Sequence, residues 1–467
     1  MNRQANTYDV GIIGAGNAGI FAAYELSRLL PGLSVVIIEQ GRNINERKCP
    51  IIEGSQKTCT HCKPCSIMKG FGGTGAFSDG KFNFTTQFGG WLNEYISEKE
   101  VMSFIEYVDS VNMKFGAPEE RFTASSAEAD KIRSSALGHD LHLLHAQVKH
   151  IGTERSFELI SRLYNYLSDK TDILCNTKTE EIMPDPDGGF SLKLSDGKDL
   201  KCRYLIAAPG RAGAEWFAAQ CGKLGLELIN NQVDIGVRVE LPASVYKHIT
   251  DIFYECKILF RTSQYNDIVR TFCMNPNGYV VTENTDGIIT VNGHSYSDVS
   301  RQSENTNFAL LVSNKFTEPF NEPYRYGKVI ASLSNMLGGG VLVQRFGDLL
   351  RGIRSNEHRL RQSFTKPTLA ATPGDLSLAL TKRNLDNIIE MISVLDMIAP
   401  GTANHDTLLY GVEVKFYSAR PQLTAGLETL VPGMYAIGDG AGITRGLAQS
   451  GASGIIAARD IIKKETR

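Results

Sequence analysis

Apolar and polar positions change register repeatedly along this chain. Residues 8–13 (Tyr-Asp-Val-Gly-Ile-Ile) end in an unbroken apolar run, the mark of a strand buried on both faces. Over residues 17–30, Ala22, Leu26 and Leu30 recur every four positions and predict a helix with one apolar face. Val35-Val36-Ile37-Ile38 predicts the next strand, which ends in Glu39. Helical patterns cover roughly 91–115 and 139–169. Short strand-like runs follow at 172–183, 189–194 and 203–208, and alternating segments recur at 233–240, 256–261, 268–274, 278–283 and 287–292. Residues 318–394 read as mixed and mostly helical. The C-terminal part returns to a strand (Met434–Ile437), a glycine loop (Gly438–Gly446) and a helix (Leu447–Lys464).

Similar βα units at both ends, enclosing a β-rich middle, predict one nucleotide-binding domain interrupted by a second domain. The expected fold class is α/β, with a Rossmann-like domain interrupted by an α+β substrate domain. The expected division is 1–85 (nucleotide domain, first part, with a Cys-rich loop), 86–170 (mainly helical insertion), 171–212 (nucleotide domain, second part), 213–405 (β-rich substrate domain) and 406–467 (nucleotide domain, third part). A length of 467 residues with 42% apolar and 21% charged positions fits two or three globular domains and excludes a disordered chain. Lys and Arg number 49 against 51 Asp and Glu, so the net charge of −2 provides no general field for nucleic acid or acidic lipid. No apolar run of about 18 residues occurs, so no membrane span is expected. The polar start, Met1 to Asp9, lacks the pattern of a secretory signal, and nine cysteines do not suggest a disulfide framework. Both point to a cytoplasmic location.

Glycine is concentrated rather than scattered. Gly14-Ala15-Gly16-Asn17-Ala18-Gly19 is a GxGxxG between the first strand and the first helix, and Glu39 follows twenty residues after Gly19. Gly14 permits the turn, Gly16 lets a pyrophosphate approach the backbone, and Gly19 lets helix pack on strand. The helix start at Asn17 offers N–H groups to phosphate, and Glu39 offers a carboxylate to a ribose hydroxyl. Gln40 and Arg42 complete the candidate contacts at this end.

The segment Met434-Tyr435-Ala436-Ile437-Gly438-Asp439-Gly440-Ala441-Gly442 resembles the second FAD motif of many flavoproteins, and Leu205-Ile206-Ala207-Ala208-Pro209-Gly210 is similar to their strand-to-glycine crossover. The resemblance implies FAD in a glutathione-reductase-type FAD fold. It places Asp439 at the ribityl or pyrophosphate end and aims the following helix at the flavin. Phe71-Gly72-Gly73-Thr74-Gly75-Ala76-Phe77-Ser78-Asp79-Gly80-Lys81, together with residues 438–454, resembles an uncharacterised family of FAD-dependent dehydrogenases. That family is loosely related to geranylgeranyl reductases and para-hydroxybenzoate hydroxylase. Further similar stretches are His150–Thr153, Ile235–Glu240, Thr271–Met274 and Val414–Ser418. The resemblance implies FAD contacts from Gly72, Gly73, Thr74, Gly75, Ser78, Gly210, Gly438, Asp439, Gly446 and Leu447. No second strand–GxGxxG–helix unit is present in the sequence, so NAD(P)H is expected only as a transient donor.

Four cysteines cluster at Cys49, Cys59, Cys62 and Cys65. The C-x2-C-x2-C spacing suits a [4Fe–4S] cluster or zinc, with His61 as an alternative zinc ligand. A redox-active thiol pair and metal-free structural thiols fit the same spacing. Lys81 and Arg445 are candidate cations near a flavin or an anionic substrate. Lys81, His150 and Cys273 are the candidates for proton transfer. His139, His142 and His145 recur every three residues on the helix expected there, where they would share a face. The resulting expectation is an FAD-dependent oxidoreductase moving a hydride between flavin N5 and a small organic substrate. Its alternatives are an electron-transfer subunit with a Cys-bound iron–sulfur cluster and an electron-carrier partner, or a flavin monooxygenase.

Overall fold

The computed structural model describes all residues except 1–5, 51–52, 54, 57–61, 79, 145, 254–255, 286, 297, 318, 321 and 467. It divides into two compact units. One comprises Met1–Phe122, Ala146–Asn230 and Ser418–Arg467, the other Thr123–His145 and Asn231–Tyr417.

In the first unit the strand Thr7–Ile13 runs parallel to Val35–Ile38 on one side and Asp199–Ala207 on the other. Asp172–Leu174 extends this sheet beyond Val35–Ile38, and Met434–Ala436 pairs with Leu205–Ala207, again in parallel. Phe190–Leu194 and Thr179–Pro184 add an antiparallel edge. The parallel strands are covered on both faces, so Val10, Ile12, Val36, Ile37, Leu205 and Ile206 are all fully buried. Helices Asn17–Leu29 and Leu447–Glu465 pack against each other. They approach so closely that a Cβ on Gly454 would overlap the Ala18 carbonyl oxygen.

The second unit is built on an eight-stranded sheet in the order Thr372–Pro373, Leu342–Arg345, Leu408–Lys415, Val233–Pro242, Asn305–Asn314, Ile268–Asn275, Ile258–Arg261 and Leu141–Leu143. Val233–Pro242 alternates strictly. Val233, Ile235, Val237, Val239 and Leu241 share an apolar core with Leu385, Ile388 and Ile392 of helix Lys382–Leu395. The opposite face carries Asp234, Arg238 and Glu240, which are buried as well. Asn305–Asn314, unrecognised in the pattern because Asn and Ser mark its ends, pairs along both edges and is buried from Asn305 to Val312.

The helix expected over 139–169 is three elements. Gly138 closes the helix Ala127–Leu137, Leu141–Leu143 and Gln147–His150 are strands, and a helix restarts at Thr153 and runs to Ser168. His139 and His142 therefore do not share a helical face, and His145 lies outside the described residues. The stretch expected as a helical insertion also divides. Residues 123–145 belong to the second unit, because Leu141–Leu143 pairs with Ile258–Phe260, and the remainder stays with the first. No helix among the described residues is long and apolar enough to cross a membrane.

Glu240 gives this unit a pH-dependent feature. Its carboxylate accepts hydrogen bonds from Asn305 Nδ2 at 3.1 Å, Thr368 N at 3.2 Å and Tyr410 Oη at 2.6 Å, and from the Thr368 hydroxyl. Burial nevertheless holds the carboxyl above its ordinary 4.5. The folded chain therefore keeps this proton to higher pH than the unfolded chain, and the group destabilises the fold as pH rises from about 4.5 through its raised range. Glu240→Gln removes that dependence. Denaturant titrations from acid to neutral pH should show wild type losing stability relative to the Glu240→Gln variant as pH rises. A constant difference would contradict the assignment.

Candidate dinucleotide site

The loop after the first strand is held by the backbone. Gly14, at φ +98°, donates its N–H to Ile38 O at 2.8 Å, and a Cβ there would overlap the Ala208 carbonyl oxygen. A Cβ on Gly19 would overlap the Gly14 carbonyl oxygen. Gly16 differs from both. It is extended, it caps helix Asn17–Leu29 without any side-chain hydrogen bond, and no atom lies within 4 Å of the position a Cβ would occupy. An uncapped helix start beside open space, with no acid in its first turn, fits a pyrophosphate.

Glu39 is fastened to this loop. Its Oε2 accepts from Ala15 N at 2.9 Å, and its Oε1 accepts from Gly41 N at 2.8 Å and Gly70 N at 3.0 Å. Three amides do not exhaust the roughly four acceptor positions of a carboxylate, so a ribose hydroxyl still fits. Gln40 is half-buried and Arg42 is exposed, with the Arg42 carbonyl accepting from Phe71 N at 2.9 Å.

Arg47 is central here and was not singled out by sequence reasoning. Only 3% exposed, it donates to Ser66 O (2.8 Å), Ile67 O (2.8 Å), Phe71 O (2.7 Å) and Gly73 O (2.8 Å), and weakly to Gly70 O. Burial pulls its guanidinium down to about 10, still cationic at neutral pH. The ribbon it binds continues to the dinucleotide loop, where Gly72 N donates to Ala15 O at 2.7 Å. Gly72 and Gly73 take positive φ and open the short 3₁₀ turn Gly73–Phe77. Ser78 closes it, donating to Gly75 O at 2.9 Å and accepting from Gly80 N at 3.2 Å, while Thr74 is half-buried. Asp79 lies outside the described residues. Arg47→Lys keeps the charge but not the planar fork, and should destabilise the protein by about 2–3 kcal/mol through lost charge-assisted bonds. Thermal denaturation of the apoprotein would read this, and an unchanged midpoint would refute it.

The second half of the cradle comes from the C-terminal segment. Gly438, at φ +75°, donates its N–H to Ser453 Oγ at 3.2 Å, and Asp439 Oδ1 accepts from the Thr444 hydroxyl at 2.7 Å. Gly440 abuts the Gly210 carbonyl, which joins this motif to the crossover. Gly446 caps helix Leu447–Glu465 without a side-chain bond, and no acid stands in the first turn. Asn17 Nδ2 donates to Leu447 O at 2.6 Å and ties the two helix starts together. A further support escaped sequence reasoning. Arg445 N donates to Gly89 O at 2.9 Å, Gln449 Nε2 to Phe88 O at 3.1 Å and Trp91 N to Ile443 O at 3.0 Å. The adjacent pair Gly89-Gly90, both at positive φ, was the only signal for it.

Among the proton-transfer candidates, Lys81 and His150 stand opposite each other in the antiparallel pairing of Lys81–Phe84 with Gln147–His150. His150 is exposed. Cys273 belongs to the second unit. It sits at φ +47° where the register of Ile268–Asn275 shifts, and its carbonyl accepts from Arg238 Nη2 at 2.7 Å and Asn275 Nδ2 at 2.9 Å. Of the clustered cysteines, Cys49, Cys62 and Cys65 are described and Cys59 lies outside the described residues, as does His61. Among the described residues, no group of three His, Cys, Asp or Glu side chains is arranged to hold a metal ion.

Residues 232–416 match the family described as FAD-dependent protein, C-terminal domain-like. The chain is 26% identical over 473 residues to an uncharacterized protein of Clostridium beijerinckii, covering 97% of this chain and 80% of that one. Among solved structures it resembles glycine oxidase from Geobacillus kaustophilus (12% identity, 98% and 95% of the two chains, TM-score 0.40). It also resembles L-proline dehydrogenase from P. horikoshii (12% identity, 98% and 94%, TM-score 0.41). Residues 232–416 thus resemble the C-terminal domain of FAD-dependent proteins, and the two glycine loops described above lie in the other unit.

Proposed function

We propose that this protein is an FAD-dependent oxidoreductase that holds FAD across the Gly14–Gly19 loop and the Gly438–Leu447 segment and moves a hydride between the flavin and a small organic substrate. The observation that carries this reading is the pairing of two uncapped helix starts, at Asn17 and Leu447, tied by the Asn17–Leu447 hydrogen bond beside the open space at Gly16. When bound, FAD supplies a two-electron centre at N5. The residues of the chain bind and orient it. The Asn17 helix start would take the pyrophosphate, and the spare acceptor capacity of Glu39 would take a ribose hydroxyl. Asp439 would take a ribityl hydroxyl or the pyrophosphate end, and Gly72–Ser78 would help to hold the ring system. The Leu447 helix start would turn its positive end toward the flavin and favour its anionic reduced form. Lys81 and His150, cross-strand neighbours, are the groups proposed to hold or deliver the proton, with Cys273 a further candidate.

The test is anaerobic reduction of the purified protein with dithionite, NADH and NADPH, followed by a substrate screen for flavin reoxidation or reduction. About one FAD per chain and a substrate-dependent change in flavin absorbance are expected. A protein that neither retains nor takes up FAD would end this reading. Substrate-coupled oxygen consumption that leaves one atom of O2 in the product would replace the hydride-transfer reading by a monooxygenase.

A further inference from the structure

We propose that Cys62 and Cys65 form a reversible dithiol–disulfide centre at the rim of the dinucleotide cradle, reacting with small-molecule disulfides. The proposal stands on the thiols alone and does not depend on the hydride chemistry. The motif is Cys62-Lys63-Pro64-Cys65, two thiols separated by two residues, the spacing at which an intramolecular disulfide closes a very small ring. Their environments differ in the way exchange requires. Cys62, Lys63 and Pro64 are exposed, whereas Cys65 is half-buried and its carbonyl accepts from Met68 N at 3.2 Å and Lys69 N at 2.9 Å. Cys62 is therefore the sulfur that meets an incoming disulfide, and Cys65 is the one held in a turn to resolve it.

Two further observations set this pair apart. The guanidinium of Arg47 donates to Ser66 O and Ile67 O, immediately beyond Cys65 in the chain. The same guanidinium binds the carbonyls of Phe71 and Gly73, so the turn carrying Cys65 is fastened to the glycine ribbon. Elsewhere, burial pushes the thiols of Cys175, Cys202 and Cys221 up to about 12, which leaves them unreactive near neutral pH.

The Cys62 sulfur, having lost its proton, attacks one sulfur of R–S–S–R. The external S–S bond breaks and RS⁻ leaves with one pair of electrons. Cys65, deprotonated in turn, attacks the Cys62 sulfur of the mixed disulfide, and the second RS⁻ leaves. The two protons end on the two RSH products, and two electrons have passed from the protein pair to the external disulfide.

The experiment uses the full-length, FAD-loaded protein and bis(2-hydroxyethyl) disulfide, read by intact mass and by differential alkylation with tandem mass spectrometry. Wild type should lose about 2 Da, with Cys62 and Cys65 losing their alkylation together. The Cys59→Ser variant should behave in the same way. Cys65→Ser should retain a hydroxyethyl adduct on Cys62, because nothing resolves it. Cys62→Ser should slow the reaction of Cys65 by roughly tenfold or more, because the exposed attacking sulfur is gone. The proposal is overturned if the bond forms between other cysteines, if Cys65 reacts as fast in Cys62→Ser, or if stoichiometric zinc or iron is found on the cysteines. A protein that takes up no FAD but still shows the Cys62–Cys65 exchange would keep this inference and end the flavin reading instead.

Discussion

Gly16→Val should yield a folded protein that has lost FAD, whereas Gly19→Val should yield no folded protein at all. The two glycines stand three residues apart in one motif, yet their surroundings oppose each other. At Gly16 the first carbon of a side chain meets no atom within 4 Å beyond its chain neighbours, and the backbone is extended, a conformation valine adopts readily. The isopropyl group would project into the space left for pyrophosphate. Melting of the apoprotein should stay within about 0.5 kcal/mol of wild type, because a surface change of this kind disturbs no packing. FAD retention after gel filtration should vanish. At Gly19 even the first carbon overlaps the Gly14 carbonyl, a backbone atom that cannot move without displacing the strand Thr7–Ile13. That overlap should cost about 3 kcal/mol or more. Flavin fluorescence separates the outcomes, since only the Gly16 variant should be soluble and colourless. A yellow Gly16→Val protein would show that the pyrophosphate does not lie there.

The same contrast marks what sequence could reveal. Gly14, Gly16, Gly19 and Glu39 were legible because strand, loop, helix and acid are consecutive, and each glycine's task is local. The partners of Glu39 were not, since Ala15, Gly41 and Gly70 converge on it from three loops. Arg47 left no trace because it binds backbone carbonyls, which every residue has. The histidine spacing at 139, 142 and 145 misled because a three-residue interval fits a helix, while Leu141 and Leu143 alternate around His142 at a strand's period. Leu141–Leu143 becomes a strand through pairing with Ile258–Phe260, more than a hundred residues away, and no local pattern encodes that. Such long-range pairing is also why residues 123–145 join the second unit.

Arg238→Met should be the most damaging single change in that second unit. Arg238 and Glu413 are both fully buried and lie 3.2 Å apart. The guanidinium also donates to Asn307 Oδ1 at 2.9 Å and to the Cys273 carbonyl at 2.7 Å. Methionine fills much of the volume and supplies none of these donors. Three acceptors lose a partner, and among the described residues Glu413 keeps Lys415 Nζ, at 2.9 Å, as a charged neighbour. Removing one member of a buried pair in this way costs about 3–5 kcal/mol, mostly from stranding the other charge. Glu413→Gln in the Arg238→Met background should therefore recover about 1–3 kcal/mol, the scale of coupling between residues in one network. Glu413→Gln alone should be destabilising. The sign reversal between the two backgrounds is what a double-mutant cycle in urea would measure. Equal effects of Glu413→Gln in both would mean that the pair contributes no coupling, and that Arg238 acts only through the Asn307 and Cys273 oxygens.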